Sequence, residues 1–262
     1  AVDRDHRCRG VGAALYEEFE RMARADGRTN FQAWSYEPLV PTGTRTLRGS
    51  EGDGVIDPEA PPARFLLSRG FRLMQVDTMS VLTLPDDLVG PAAAARERTP
   101  STYELIQWSD LTPQEWLEPT ARLQRAMSTD IPTGGAELEE EEFDATRIEL
   151  SDTTYAAAGV LTVVTAAVHV PSGELVGCTR IVREPGKPEA ADQWETIVLR
   201  AHRGHGLGML LKTANHVAAA RRWPTLRRLV TGNASENQYM LRINRELGYL
   251  PVAASGWFEK KL

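Results

Sequence analysis

One pattern occurs twice in this chain: a strand-like run, then Arg-x-x-Gly-x-Gly, then the start of an amphipathic helical repeat. The copies are Arg7-Cys8-Arg9-Gly10-Val11-Gly12 and Arg203-Gly204-His205-Gly206-Leu207-Gly208. Subtracting Gly10 from Gly206 gives 196 residues, a domain-sized period, so duplicated domains are expected. Glycines leave backbone N–H groups free to converge on an anion where a helix opens and its dipole adds partial positive charge. Each copy therefore reads as a pyrophosphate cradle. A nucleotide P-loop is disfavoured because Met209 follows Gly208, and a Rossmann turn because Leu211 stands where its third glycine would be.

The surroundings of the second copy narrow the choice. After its helix come the strand-like Leu226 to Thr231, the pair Gly232-Asn233, and a helical stretch from Ser235 that ends in Leu247-Gly248-Tyr249. Over about residues 192 to 252 this order resembles the GNAT superfamily of N-acetyltransferases. The first copy has a matching tail, Phe65-Leu66-Leu67-Ser68-Arg69-Gly70-Phe71. The resemblance implies an α/β (α+β) fold of two GNAT-like domains, each with a central mixed, mostly antiparallel sheet flanked by helices. The first would be truncated at its N-terminus. Residues 1–84 are expected to be the C-terminal portion of that domain, 85–101 a linker and 102–262 a complete second domain. The natural protein is accordingly expected to extend further at its N-terminus. The tandem layout is similar to that of the mycothiol synthases, which acetylate the cysteinyl amine of a sugar conjugate.

Periodicity and turn signals place the elements. Val11, Ala14, Leu15, Phe19 and Met22 recur at helical spacing, Thr29 to Ser35 alternates like a strand, and Glu37 to Pro62 reads as a long loop. A short helix over Ala63 to Arg69 and a strand over Arg72 to Leu84 complete the first half, and the linker carries about one helical turn. In the second half, Tyr103 to Trp108 is the first strand, with Asp110 as a candidate helix N-cap. The acidic run Glu137 to Asp144 opens a helix to about Leu150, and Val160 to Val170 and Glu174 to Val182 form a hairpin. Gly256 to Leu262 is the last strand.

Composition sets limits on function. At 42% hydrophobic and 25% charged residues the chain can bury a core, and no apolar run approaches the ~20 residues of a membrane span. Without the apolar core of a signal peptide, a cytoplasmic location is expected, with no membrane partner. A net charge of −6 argues against nucleic acid and mildly favours cationic substrates. Cys8 and Cys178 lie in different halves with no Cys-x-x-Cys spacing, so neither a metal site nor a disulfide framework is expected.

The resemblance implies acetyl-CoA as cosubstrate and a small-molecule primary amine as acceptor, with direct attack in a ternary complex and a homodimer as one candidate assembly. Backbone groups of Val198 and Leu199 would bind pantetheine, and Arg203, Gly204, His205, Gly206, Leu207, Gly208 and Met209 would hold the pyrophosphate. Asn233 and Asn237 would touch the cofactor arm, and Arg7, Gly10 and Gly12 would keep half a cradle in the first domain. His202 and His205 border the second domain's pyrophosphate site and could add positive charge to it. For the general base, Asp192 and Glu195 are candidates. The usual tyrosine acid is replaced by Asn244, leaving Tyr239 as a substitute. That replacement motivates the alternative of a non-catalytic acyl-CoA-binding sensor or scaffold.

Overall fold

The structure, a computed structural model, describes residues 2–130 and 142–262 apart from 42, 44 and 51. In chain order the elements are α1 (Val11–Ala25), β1 (Asn30–Pro38), β2 (Leu47–Arg48), β3 (Val55–Ile56), α2 (Pro61–Leu67), β4 (Arg72–Thr83) and α3 (Val89–Glu97). There follow β5 (Tyr103–Ser109), α4 (Leu117–Asp130), α5 (Ala145–Ala157), β6 (Leu161–His169), β7 (Glu174–Arg183) and β8 (Ala190–Val198). The chain closes with α6 (Leu207–Arg222), β9 (Arg228–Ala234), α7 (Gln238–Glu246) and β10 (Leu250–Lys261). Eight strands form one sheet in the order β1-β10-β4-β9-β8-β7-β6-β5. Neighbours are antiparallel except β8 and β9, which run parallel because α6 is a crossover connection between them.

The two halves are joined by an exchange of strands. β4 and β10 are each 12 residues long, and their first and last residues differ by the same 178. They pair with each other antiparallel, with Asp77 opposite Ser255, again 178 apart, so a local two-fold axis passes through that pair. The register skips Met74 on one strand and Val252 on the other, two bulges related by the same axis. Beyond this seam, β10 from the second half pairs with β1, and β4 from the first half pairs with β9.

Helices cover both faces of the second half. Leu207, Leu210 and Leu211 of α6 pack with Ala95 of α3 on Ala167 and Val176, whereas Leu123 of α4 packs on Val164, Ala166 and Cys178. In the first half, α2 and α1 close over Phe71, Val76, Ala254 and Phe258 through Ala63, Leu66 and Tyr16. The periodic face of α1 goes the other way: Val11, Leu15, Phe19 and Met22 are exposed, although the first two correspond by the 196-residue period to buried Leu207 and Leu211.

Several expectations are corrected. The long loop from Glu37 to Pro62 contains the β2–β3 hairpin, and its start and end belong to β1 and α2. The linker holds α3, nine residues long and packed on α6, because its alanines give a small-residue face. Asp110 is no N-cap: it has φ +62°, accepts from Thr162 N at 3.0 Å and pairs with Arg222. The helix expected from the acidic run begins at Ala145, with Asp144 as its N-cap accepting from Arg147 N; Glu137 to Glu141 lie outside the described residues. The last strand starts at Leu250, six residues earlier than expected.

Candidate active site

The parallel pairing of β8 and β9 covers only Ala190↔Arg228, Ala191↔Leu229 and Asp192↔Val230. Beyond Asp192 the strands diverge, bridged at the vertex by Thr231 Oγ1, which donates to Gln193 O at 3.1 Å. The divergence has a cause in β8 itself. Thr179 faces Thr196 but Ile181 faces Gln193, so β8 carries one extra residue there, and a bulge bends the bulged strand. The gap runs along β8 from Gln193 to Val198, about 17–20 Å at strand rise.

Backbone alternation fixes which groups face the gap. Leu199 N–H donates to Val176 O at 2.9 Å, and Leu199 O accepts from His202 N, so Leu199 is committed within the fold. Alternation then turns the backbone groups of Val198 and Thr196 toward the gap. Val198 and Thr196 therefore present backbone groups to the gap, whereas those of Leu199 are used within the fold. Arg203 Nε donates to Val198 O at 3.0 Å, tying the end of the strand to the turn that follows.

The gap ends at the glycine turn. Gly204 and Gly206 have φ +82° and +80°, left-handed conformations that favour glycine. The first helical bond of α6 is Leu210 N to Gly206 O at 3.1 Å, so the N–H groups of Leu207, Gly208 and Met209 precede the helical ladder. A Cβ on Gly208 would stand 3.1 Å from Ile243 Cδ1, and one on Gly206 3.2 Å from Thr99 Oγ1. The cradle is therefore closed on one side by α7 and on the other by the turn after α3. Leu207 is buried in the core, anchoring the first turn.

The first copy repeats this geometry. Arg7 Nε donates to Val2 O at 3.0 Å, Gly10 has φ +83°, and a Cβ on Gly12 would meet Phe65 Cε2 at 3.4 Å, the counterpart of Ile243. Its partner strand β1 lies at the sheet edge, so no divergent pair stands beside this cradle among the described residues.

The two carboxylates separate in role. Glu195 has a side chain 9% exposed, paired with Arg180 Nε at 3.1 Å and accepting from Gln124 Nε2 at 3.0 Å. Arg180 lies also 3.5 Å from Asp152, whose other oxygen accepts from Thr112 N. A buried cation shared by two carboxylates holds Glu195 in a fixed network, since removing one partner would strand a charge. Asp192 is half-buried at the vertex of the gap, and desolvation raises its pKa, with Lys187 opposing and Glu184 adding to the shift. Trp194, adjacent at the bulge, meets Tyr155 of α5 edge-on at 5.7 Å. Glu195 and Trp194 thus reach α4 and α5, the helices on the face opposite α6.

The asparagines turn inward. Asn237 Oδ1 accepts from Met240 N at 3.2 Å as the N-cap of α7, and Asn233 Oδ1 accepts from Asn244 Nδ2 at 2.6 Å. Tyr239 stands at the cradle end of α7, half-exposed beneath Arg242, with its hydroxyl 3.8 Å from a Cβ on Gly208. That is the glycine-turn end of the gap, remote from its vertex. His202 Nδ1 is hydrogen-bonded to Tyr103 OH at 3.0 Å, and burial together with His169 lowers its pKa, so it supplies no charge at neutral pH. His205 Nδ1 is 3.2 Å from His202 O. Two buried carbonyl oxygens, Gln193 Oε1 and Asn244 Oδ1, have no donor within the described residues, one on β8 and one on α7. A cavity of about 160 Å³ lies behind α7, where Asn244 and Tyr249 meet Thr78 and Ser80 of β4.

No protein-family model matches the chain, and no curated protein does. Among solved structures it is similar over its whole length to a tandem GNAT protein from the clavulanic acid biosynthesis pathway, at 29% identity and TM-score 0.75, covering 73% of that protein. A GCN5-related N-acetyltransferase from Sphaerobacter thermophilus matches 99% of the chain at 14% identity and TM-score 0.58, with 70% of that protein covered. A glucosamine N-acetyltransferase region of a fungal β-N-acetylglucosaminidase matches 99% at 13% identity and TM-score 0.59, with 29% of that protein covered. The repeated glycine cradle, the divergence of two parallel strands beside it and the end-to-end similarity to a tandem relative lead to one statement: this chain has a tandem GNAT fold.

Proposed function

We propose that the second half binds acetyl-CoA in the gap between β8 and β9 and transfers its acetyl group to a primary amine of a small molecule. The observation that carries this is the gap itself: a strand edge with open backbone groups leads to a turn with three unladdered N–H groups. Those features suit an extended amide-bearing arm and a pyrophosphate. The bound thioester supplies an activated acyl carbon and a thiol leaving group.

The chain's own residues then have separable tasks. Thr196 and Val198 align the arm, and the cradle fixes its far end. Asp192, at the vertex, accepts the proton of the incoming amine; desolvation raises its pKa, whereas Glu195 is held in an ion pair by Arg180. Direct attack is favoured over a cysteinyl intermediate because burial pushes the Cys178 thiol up to about 12. Among the described residues no helix is long and apolar enough to cross a membrane, and no cluster of metal-ligand residues is present.

The test is thiol release from acetyl-CoA against a panel of amines, with calorimetric titration of acetyl-CoA in parallel. Gly206→Trp should abolish binding. Asp192→Asn should bind normally and lose about 10²–10⁴ in turnover. Binding by the wild type without turnover of any amine would favour the sensor reading, which Asn244 in the tyrosine position motivates.

A further inference from the structure

A thiol that leaves as thiolate needs a proton, and neither sequence candidate on α7 delivers it. The Asn244 amide gives up no proton at a useful pKa, and Tyr239 stands at the glycine-turn end of the gap. A buried amine is available instead. Lys212 of α6 is 1% exposed, with no ion pair or side-chain hydrogen bond among the described residues. We propose that Lys212 is the general acid of the transfer. As the amine nitrogen bonds the acetyl carbon and the C–S bond breaks, the electron pair of that bond goes to sulfur, and sulfur takes a proton from Nζ. The amine's own proton goes to Asp192. Lys212 then regains a proton from water and Asp192 returns one, so the sum is thioester plus amine to amide plus thiol. The proposal rests on acetyl-CoA occupying the gap.

Three observations carry it. First, contacts tie the Lys212 side of α6 to both strands of the divergent pair. Asn215, one turn further along the helix, donates Nδ2 to Val163 O at 3.2 Å and lies 3.5 Å from Thr179 O. Thr179 Oγ1 in turn accepts from Gln193 Nε2 at 2.9 Å and meets Thr196 Oγ1 at 2.8 Å, on the β8 edge of the gap. On the other side, the ammonium stands 5.1 Å from the Tyr249 ring centre. Tyr249 N–H donates to Asn244 O at 2.9 Å, and Asn244 Nδ2 reaches Asn233 on the β9 edge. Second, nothing in the fold compensates the charge. The titratable groups beside it are His216, also on α6, and Tyr249 before β10, whose hydroxyl meets His216 Nε2 at 3.2 Å. Burial, with Lys212 adding to it, lowers the pKa of His216 to about 3, and burial raises that of Tyr249, so both are neutral around pH 7. Arg245 of α7, which lines the cavity that Tyr249 also borders, is a further cation. A buried amine held without a partner costs stability, and such costs are concentrated at functional sites. Third, burial lowers the Lys212 pKa to about 7, where an amine holds a proton and gives it up readily.

The experiment measures kcat against pH for wild type, Lys212→Met and Lys212→Arg, using acetyl-CoA and the amine that the panel turns over fastest. The ratio of wild type to Lys212→Met cancels the ionisation of the amine. It should be about 10²–10⁴ at pH 7 and below, and should shrink about tenfold per pH unit above 7 as wild type loses its acid. Lys212→Arg keeps the charge but releases no proton, so it should be as slow as Lys212→Met. Calorimetric affinity for acetyl-CoA should change little in Lys212→Met, which nearly keeps the volume and removes a buried charge; that also reports an intact fold. A nitrogen NMR titration of Nζ without substrate should have its midpoint near 7. A ratio near one or flat with pH, activity retained by Lys212→Arg, or a midpoint near the ordinary 10.5 overturns the proposal while acetyl transfer stands. If wild type turns over no amine, the proposal falls together with the reading beneath it.

Discussion

Lys212 is the residue whose placement is hardest to reconcile with its chemistry. It is 1% exposed in the first turns of α6, its ammonium 5.1 Å from the Tyr249 ring centre and without an ion pair among the described residues. Burial alone lowers its pKa to about 7 from an ordinary 10.5. The unfolded chain keeps this proton up to about 10.5 and the fold only to about 7, so stability rises with pH across that interval and is lost as pH falls toward 7. Lys212→Met should therefore be more stable at pH 7, by an amount on the order of 3–5 kcal/mol, and should show a flatter stability curve between pH 7 and 10; denaturant titrations at several pH values check both. Asp192 is shifted in the opposite direction. As a base it must lose its proton, so turnover should fall with decreasing pH through a value above the ordinary 3.8, and Asp192→Asn should lack that limb.

Elements show how far the sequence could be read. Both cradles are legible because left-handed φ favours glycine, at Gly10 in the first and at Gly204 and Gly206 in the second, although Cys8, the counterpart of Gly204, takes φ +57° without it. The gap beside the second cradle is not legible, because one extra residue in β8 has no composition signal. Leu199 and Val198 look alike as a pair of apolar residues, and only the hydrogen bond from Leu199 to Val176 shows which of them faces the gap. The sequence offers Asp192 and Glu195 as candidate bases, and only the fold shows that Arg180, fifteen residues before Glu195, pairs with it. Asn237 illustrates the same ambiguity for a helix end, since an asparagine before an amphipathic stretch suits both a cap and a ligand contact. Its bond to Met240 N gives it the cap. Asn237→Ala should cost about 1 kcal/mol in thermal or chemical denaturation, and it should weaken acetyl-CoA binding little if capping is its whole task.

At the scale of the molecule, the exchange of β4 and β10 predicts how the chain comes apart. The segment between Thr83 and Val89 connects the halves covalently, but β1·β10, β10·β4 and β4·β9 connect them through hydrogen-bonded ladders along three strand pairs. A chain cut once between Pro85 and Leu88, by an inserted protease site, should therefore elute as a single species of unchanged size and melt in one transition. Separation of the fragments under native conditions would contradict the exchanged sheet.

The same exchange has a consequence for how the two copies can change through descent. Thr78 and Ser80 are encoded in the first copy yet line the cavity behind α7 in the second, beside Asn244 and Tyr249. A substitution there is inherited with one repeat and felt by the other. Neither repeat can be traded as a cassette, and a lineage that let the first copy drift freely would erode the second copy's pocket from behind.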